Sequence, residues 1–299
     1  MTVATEARRQ LQGAGGRRQA TDQIVRVLVY LAAAVALTPL VWILASVIMQ
    51  GIGQIITIEW WTQDLSGVTD RSAGGGALAA IVGTLTIGLI TGLIAVPIGV
   101  LGAVFLIEYG RGTKAARVVS FMVDILSGVP SIVAALFVYA LIITTLGGNR
   151  STFAASFALV LLMLPTVLRS TEEMLKLVPD SLREASYALG VSKWKTILMV
   201  VIPTAFSGIA TGVVLGLARV MGETAPLLIL VAYAQNLNLS PTVDTMATLP
   251  TLINRARNVA ETLPGYERVW GAALTLILIV MGLNLLARWI ARASRLKER

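Results

Sequence analysis

Few side chains in this 299-residue chain are suited to chemistry, and the most unusual is an arginine at the end of a long uncharged run. Arg219 precedes Glu223 by four residues, a spacing that places both on one face of a helix. Three glycines share that face, at Gly208, Gly212 and Gly216. The planar guanidinium suits an oxyanion, and a charge within a membrane is costly without a partner. The pattern predicts an oxyanion site at Arg219, with the glycines letting a permeant or a neighbouring helix approach closely.

A second interpretation of this helix face stays open. Arg219 pairs with Glu223 at the water boundary in that case, and the glycines serve packing alone. If Arg219 does bind an anion, Glu223 has a further use as a competitor for the guanidinium. Competition of this kind would let the site alternate between binding and release.

Two further charged residues are candidates for the same substrate pathway. Asp124 begins a polar helical stripe that continues with Ser127, Gly128 and Ser131. Because it lies near a predicted membrane boundary, we favour a helix-capping role for it. Arg169 lies near the end of another apolar run, where it either binds a departing anion or marks the cytoplasmic side; we favour the second role.

Missing residue types exclude much enzymology. The chain has no His and no Cys, which removes thiol nucleophiles, imidazole bases and zinc sites with the usual ligands. No lysine follows a glycine, so there is no phosphate-binding loop of the GxxxxGK[ST] type. The one pair of adjacent acids, Glu172 and Glu173, projects to different helix faces. We therefore expect a non-catalytic chain without a metal or cofactor, and a membrane-embedded enzyme acting on a lipid phosphate is the less favoured alternative.

The elements that must position these residues are membrane helices. Only 13% of residues are charged, 56% are hydrophobic and the mean hydropathy is +0.80, whereas soluble domains carry about 25% charged residues. The uncharged runs are each long enough for a helix of roughly 20 residues. They predict spans at about 25–49, 77–106, 118–145, 152–174, 197–222 and 269–291, within a permease-like domain at 25–292. Residues 1–24 and 293–299 are predicted tails, and 224–243 is too polar for a full span.

Charge asymmetry supports six spans. With both termini inside, most of the 24 Lys and Arg residues fall in cytoplasmic segments, as the positive-inside rule requires. A seventh span would move the C-terminal basic residues outside. The net charge of +8 therefore reports topology, and it predicts a multi-pass plasma-membrane protein in contact with lipid and not with nucleic acid.

The longest inner loop predicts two short helices between Val178 and Lys195. Pro179 ends the preceding helix, Ser181 with Glu184 forms a capping box, and Gly190 suits a helix end before Ser192 caps the next helix. A small apolar stripe is formed by Leu182, Ala185, Ser186 and Leu189. Such a helix either fits a groove on another protein or lies at the membrane interface.

The same loop resembles a known sequence motif. Glu184-Ala185-Ser186, three residues, Gly190, nine residues and then Val200-Val201-Ile202-Pro203 is similar to the EAA motif of ABC-importer permeases, Glu-Ala-Ala-x3-Gly-x9-Ile-x-Leu-Pro. Ser186, Val200 and Ile202 depart from it conservatively. Segments 128–133, 164–172 and 218–228 resemble permease subunits of phosphate-specific ABC transporters, and the likeness covers about 77–289.

The resemblance implies a prokaryotic importer of inorganic phosphate that works by alternating access. It implies pairing with a sister permease subunit, two ATPase subunits that bind ATP and Mg, and an extracytoplasmic phosphate-binding protein. The helix around Glu184 and Gly190, within 181–195, would be the coupling helix in an ATPase groove. A permease for another oxyanion, such as sulfate or molybdate, is the alternative within this class.

Overall fold

The computed structural model describes residues 3–69, 72–240, 245–257 and 263–296. Helices make up nearly all regular structure there, beside an isolated bridge between Ala232 and Thr245. In chain order they are α1 Val3–Ile55, α2 Ile58–Thr62, α3 Leu78–Val104, α4 Lys114–Gly128, α5 Ser131–Val138, α6 Thr152–Lys176, α7 Asp180–Ala188, α8 Lys193–Thr196, α9 Ile202–Met221, α10 Ala225–Leu230, α11 Leu249–Arg257 and α12 Leu263–Leu296. Turns of π-helix follow α3 at Phe105–Tyr109, follow α5 at Tyr139–Thr145, and join α8 to α9 at Ile197–Val201. The predicted all-α class is confirmed.

Membrane-crossing candidates number five or six among the described residues. Five helices are long and apolar enough: Arg18–Ile55, Leu78–Tyr109, Thr152–Lys176, Lys193–Met221 and Pro264–Trp289. A sixth span is present if the pair Lys114–Gly128 and Ser131–Thr145 is counted as one. The chain is thus an all-α integral membrane protein.

The third predicted span, 118–145, is not one straight helix. α4 and α5 meet at an angle of 107°. Pro130 cannot donate a backbone hydrogen bond and disfavours helical geometry at the residue before it, so Val129 is extended, with φ −72° and ψ 125°. The Gly128-Val129-Pro130 sequence therefore breaks this span close to its middle.

The first and last helices are longer than the predicted spans. α1 starts at Val3 and runs through the predicted tail 1–24, because the Ala, Arg and Gln residues of that segment favour helix and no proline interrupts them. α12 continues to Leu296, and residues 297–299 of the other predicted tail lie outside the described residues.

The chain divides into two compact units, residues 1–50 and 51–299. In the first unit, α1 exposes large apolar side chains such as Trp42 and Met49, at 72% and 78%. In the second unit, the buried core is centred on α6, which contributes Ala155, Leu159 and Met163. α6 packs against α3 and α9, the helices that carry or flank the candidate site residues.

Glycines permit the close approach of α9 to α6. A Cβ atom at Gly208 would collide with Met174, and one at Gly212 would collide with Ser170. Gly216 faces Met163, which also belongs to α6. The glycine stripe predicted beside Arg219 is therefore used for packing against α6.

The polar segment 224–243 contains only a short helix among its described residues. α10 spans six residues and buries Leu227 and Leu230 against α5 and α6. Its length is far below that of a membrane span, as the sequence predicted.

Candidate functional site

A cavity of about 180 Å³, with both polar and apolar side chains in its lining, lies where the break between α4 and α5 faces α6 and α9. Arg169 of α6 and Arg219 of α9 both line it, although they are fifty residues apart in the sequence. The remaining lining residues come from the break and from the middle of α6: Leu126, Ser127, Val129, Leu162, Pro165 and Thr166. The two predicted pathway arginines are thus brought to one cavity.

Arg169 is neutralised by two carboxylates. Its guanidinium donates to Asp124 Oδ1 at 2.5 Å and to Glu172 Oε2 at 2.6 Å. It also donates to the Oγ and the carbonyl oxygen of Ser120, at 2.8 and 3.0 Å. These bonds tie α6 to α4 on one side of the cavity.

Glu172 is shared between two cations. Its second oxygen accepts a hydrogen bond from Lys176 Nζ at 2.7 Å, one helical turn further along α6. The carboxylate is 11% exposed, so burial strengthens these contacts relative to surface ion pairs. The four residues Asp124, Arg169, Glu172 and Lys176 form a cluster whose charges balance.

Arg219 differs from Arg169 in having no such partner. Among the residues that the structure describes, it makes no hydrogen bond and no ion pair. Its charge on the cavity is consequently not compensated by the residues that the structure describes. A cavity with one balanced and one unbalanced guanidinium favours an anion, and the planar fork of arginine suits a tetrahedral oxyanion.

Two sequence predictions about acids need correction. Glu223 does not continue the helix of Arg219, because α9 ends at Met221 and Gly222 caps it; within the described part of the chain the two side chains form no ion pair. Asp124 does not cap a helix. The cap of α4 is Thr113, whose side chain accepts from the amide of Ala116, and Asp124 instead pairs with Arg169.

The inner loop has the two short helices that the sequence predicted. α7 ends in a Schellman motif around Gly190, which has φ +74°. The amide of Val191 donates to the Ser186 carbonyl at 3.2 Å, and the amide of Gly190 donates to the Tyr187 carbonyl at 2.9 Å. The left-handed backbone explains why glycine occupies this position.

Local capping differs from the prediction. α7 begins at Asp180, so Ser181 and Glu184 lie inside the helix and form no capping box. Ser192 stands at the N-cap of α8, but its side chain makes no capping bond. Pro179 separates α6 from α7, because it ends the linker after α6 and occupies the N-cap position of α7.

The two faces of α7 also divide differently. Ser186 is buried, and its hydroxyl hydrogen-bonds that of Thr196 at 2.8 Å. Leu182 and Leu189 are exposed at 40% and 84%, and Ala185 and Glu184 are exposed beside them. The exposed part of the predicted stripe is therefore open to another molecule, while Ser186 fastens the loop to its own chain.

Sequence reasoning missed the most buried charge of this loop. The side chains of Arg183 and Glu108 are 9% and 5% exposed and pair at 2.8 Å. In the sequence, Arg183 is one of the basic residues that indicate the cytoplasmic side. Its partner Glu108 is 75 residues away, so no local pattern shows the pair. Helical spacing does indicate which face carries Arg183, because it shares the face of Ser186 and not that of Leu182 and Leu189.

No metal centre forms among the described residues, where no three acidic side chains come together. The polar groups that line the cavity are two guanidiniums and two hydroxyls, and the carboxylates of Asp124 and Glu172 are bonded to Arg169. This set is suited to holding and exchanging an anion, not to activating water or transferring a proton.

The fold and the broken span are those of a multi-span membrane protein, and comparison with known proteins identifies its class. Residues 95–297 match the family described as "Binding-protein-dependent transport system inner membrane component". The phosphate transport system permease protein PstA of Mycobacterium leprae is 50% identical over 269 residues, covering 90% of this chain and 88% of its own length. The PstA protein of Haemophilus influenzae is 38% identical over 272 residues, covering 91% and 94%.

Solved structures share the fold at lower identity. The inward-facing MetNI methionine ABC transporter matches with a TM-score of 0.59 at 21% identity, covering 71% of this chain and 93% of its own. A bacterial alginate ABC transporter matches with a TM-score of 0.58 at 17% identity, covering 88% and 94%.

The chain belongs to the family of binding-protein-dependent transport system inner membrane components and, within it, to the permease proteins named PstA. It is accordingly a multi-pass protein of the cytoplasmic membrane, and the prediction of a transport subunit rather than an enzyme is confirmed.

Proposed function

We propose that this chain is the permease subunit of an ATP-driven importer that carries inorganic phosphate into the cytoplasm. The carrying observation is that the guanidinium of Arg219, which no described residue compensates, lines a cavity together with Arg169. The names of the PstA relatives support phosphate as the anion. Arg219 binds the phosphate dianion, and the hydroxyl of Thr166 donates a hydrogen bond to it.

Release requires that a guanidinium give up the anion. Asp124 and Glu172 occupy Arg169 in the present state, so phosphate gains this second arginine only when those carboxylates withdraw. Return of the carboxylates then expels the anion. Glu223, two residues beyond the end of α9, acts as the corresponding competitor for Arg219 in a state where the two approach.

Energy for this exchange comes from partner subunits. The chain pairs with a sister permease, two ATPase subunits bind ATP and Mg beneath the complex, and a phosphate-binding protein delivers the anion from outside. ATP binding closes the ATPase subunits and turns the cavity outward; hydrolysis turns it inward.

The ATPase contact is assigned to the exposed face of α7. Leu182, Ala185 and Leu189 supply an apolar surface, with Glu184 beside them and Gly190 setting the bend. Helices that dock in grooves present such faces. Glu184→Arg is expected to uncouple ATP hydrolysis from transport, and wild-type coupling in that variant would remove Glu184 from this role.

The substrate is tested by competition. The whole complex is reconstituted in vesicles with the binding protein, and uptake of labelled phosphate is measured against excess sulfate or molybdate. We expect neither anion to compete. Inhibition by sulfate or molybdate at concentrations equal to phosphate would transfer the assignment to another oxyanion.

A further inference from the structure

The helix α7 is fastened to the end of α3 by one buried ion pair. Arg183 donates from Nη2 and Nε to the same oxygen of Glu108, at 2.8 and 3.0 Å. Glu108 lies in the π-helical turn that extends α3, and turns of this kind are frequent at functional sites.

Every remaining donor of the guanidinium is also used. Arg183 Nη1 donates to the carbonyl of Val178 at 2.7 Å and to Asp180 at 3.1 Å, while Nη2 donates to the carbonyl of Leu175 at 3.1 Å. One side chain thereby joins the end of α6, the linker, the first turn of α7 and the end of α3. A contact with five hydrogen bonds has little freedom to rotate.

The start of α8 contacts the same π-helical turn. Lys193, at the start of α8, donates to the carbonyl oxygen of Glu108 and lies 4.7 Å from the ring centre of Tyr109. Beneath these contacts lies an apolar cluster that includes Leu106, Ile107, Leu175 and Ile197. The end of α3 is therefore held from both sides by the segment that contains α7.

This arrangement links the exposed face of α7 to the arginine cavity. α3 packs on α6 through Gly99 against Val167 and Gly102 against Leu168, and Arg169 is the next residue of α6. A displacement of α7 that keeps the Arg183 contacts must therefore also move the ends of α3 and α6, and α6 is the helix that carries Arg169.

We infer that the Arg183–Glu108 pair is the positioning link that transmits movement of α7 to α3, and that it converts partner ATPase motion into exchange at the cavity. The inference rests on the proposed function for its direction, from α7 to the cavity. Arg183 itself touches neither phosphate nor an ATPase subunit in this account.

The first test measures the rigid link without measuring transport. The chain has no Cys, so spin labels can be placed at Leu101→Cys on α3 and Tyr187→Cys on α7, both exposed positions. In the assembled complex we expect the distance between them to stay constant when ATP is added. In Arg183→Gln the same addition should change the distance. An equal change in both proteins would overturn the link, whatever the substrate is.

The second test measures ATP hydrolysed per phosphate imported by the reconstituted complex. Arg183→Gln is expected to raise that ratio by at least about 5-fold, the lower end of ordinary coupling between sites. Arg111→Gln is the matched control, since Arg111 is exposed three residues after Glu108. It removes the same charge and should keep the wild-type ratio.

A double variant separates transmission from folding. Arg183→Met with Glu108→Gln removes both charges, so no unpaired charge stays buried and assembly should recover. The inference requires the raised ratio to persist in this variant. A return to the wild-type ratio would show that the pair serves folding alone. Absence of phosphate import by the wild type and by Arg111→Gln would instead refute the proposed function, and the spin-label result would still decide the link.

Discussion

At the scale of single residues, the cavity depends on a difference between two arginines. Arg169 has two carboxylate partners and a serine, whereas Arg219 has no partner among the described residues. The sequence marked both positions but did not reveal that Asp124 pairs with Arg169, since 45 residues of chain separate them. Pairing between helices depends on packing that no local pattern records.

Removing one competitor should trap the anion. In Glu172→Gln, Arg169 loses its most buried carboxylate, so phosphate would be held more tightly and released more slowly. A hydrogen bond to a charged group contributes about 1.5–3 kcal/mol, so both the apparent KM and the maximal uptake rate should fall about 10-fold. Uptake kinetics in reconstituted vesicles measure both.

Glu173→Gln is the matched control for this variant. Glu173 is the adjacent residue and is exposed, without an ion pair within the described part of the chain. Its kinetics should equal those of the wild type. A higher KM in Glu172→Gln would show that Glu172 assists binding instead of competing with the anion.

Outside the membrane, we expect the stabilisation that Asp64 contributes to depend on pH. The backbone amide of Ser66 donates to its carboxylate at 3.0 Å and that of Leu237 at 2.9 Å. These two hydrogen bonds lower the pKa of Asp64 below its ordinary value of 3.8. Because the folded pKa is depressed, the stabilisation is complete above pH 3.8 and is lost as the pH falls through the lower folded pKa.

Hydrogen exchange tests this anchor. Protection of the Leu237 amide, corrected for the intrinsic exchange rate, should decline below pH 3.8 in the wild type. In Asp64→Asn the same amide should be less protected and independent of pH across that range. Equal protection in both proteins would mean that the loop is held by other contacts, such as the bond from the Leu65 amide to the Gln235 carbonyl at 3.0 Å.

At the scale of elements, sequence patterns predicted which segments are helical. They were less successful in predicting how the helices pack against each other. The sequence predicted one span over 118–145 and did not reveal the 107° bend between α4 and α5, beyond which α5 and α10 pack on α6. The glycines of α9 were visible as a stripe, and only the structure shows that they face α6. Gly190 was assigned correctly because a left-handed helix end has a strong local requirement.

The packing role of these glycines can be tested by adding one methyl group. Gly212→Ala would collide with Ser170 and force α9 away from α6. Overpacking of this kind costs about 1–3 kcal/mol, so the melting temperature of the purified complex should fall.

Gly282→Ala provides the matched control. Nothing lies within 4 Å of a Cβ atom at Gly282 in α12. Alanine exceeds glycine in helix stability by about 0.5–1 kcal/mol, so this variant should melt at or above the wild-type temperature. Equal effects of the two substitutions would show that α6 and α9 are not packed through Gly212.

At the scale of the whole molecule, composition and charge asymmetry were sufficient to predict a multi-pass membrane protein. The motif around Glu184 and Gly190 placed the chain among importer permeases, and its relatives agree. The sequence could not reveal the buried contact of Arg183 with Glu108, because charge asymmetry treats every inner arginine alike. The functional account therefore depends on tertiary contacts that bring α3, α4, α6, α7 and α9 together.

Arg219→Gln in the complete reconstituted complex tests the central claim most directly. With Arg150→Gln as a control for charge loss at a helix end, uptake of labelled phosphate is measured beside assembly and ATP hydrolysis. The account predicts normal assembly and phosphate uptake reduced by about 10- to 100-fold for Arg219→Gln alone, as expected for losing a charge-assisted contact. Uptake at the wild-type rate in Arg219→Gln would contradict it.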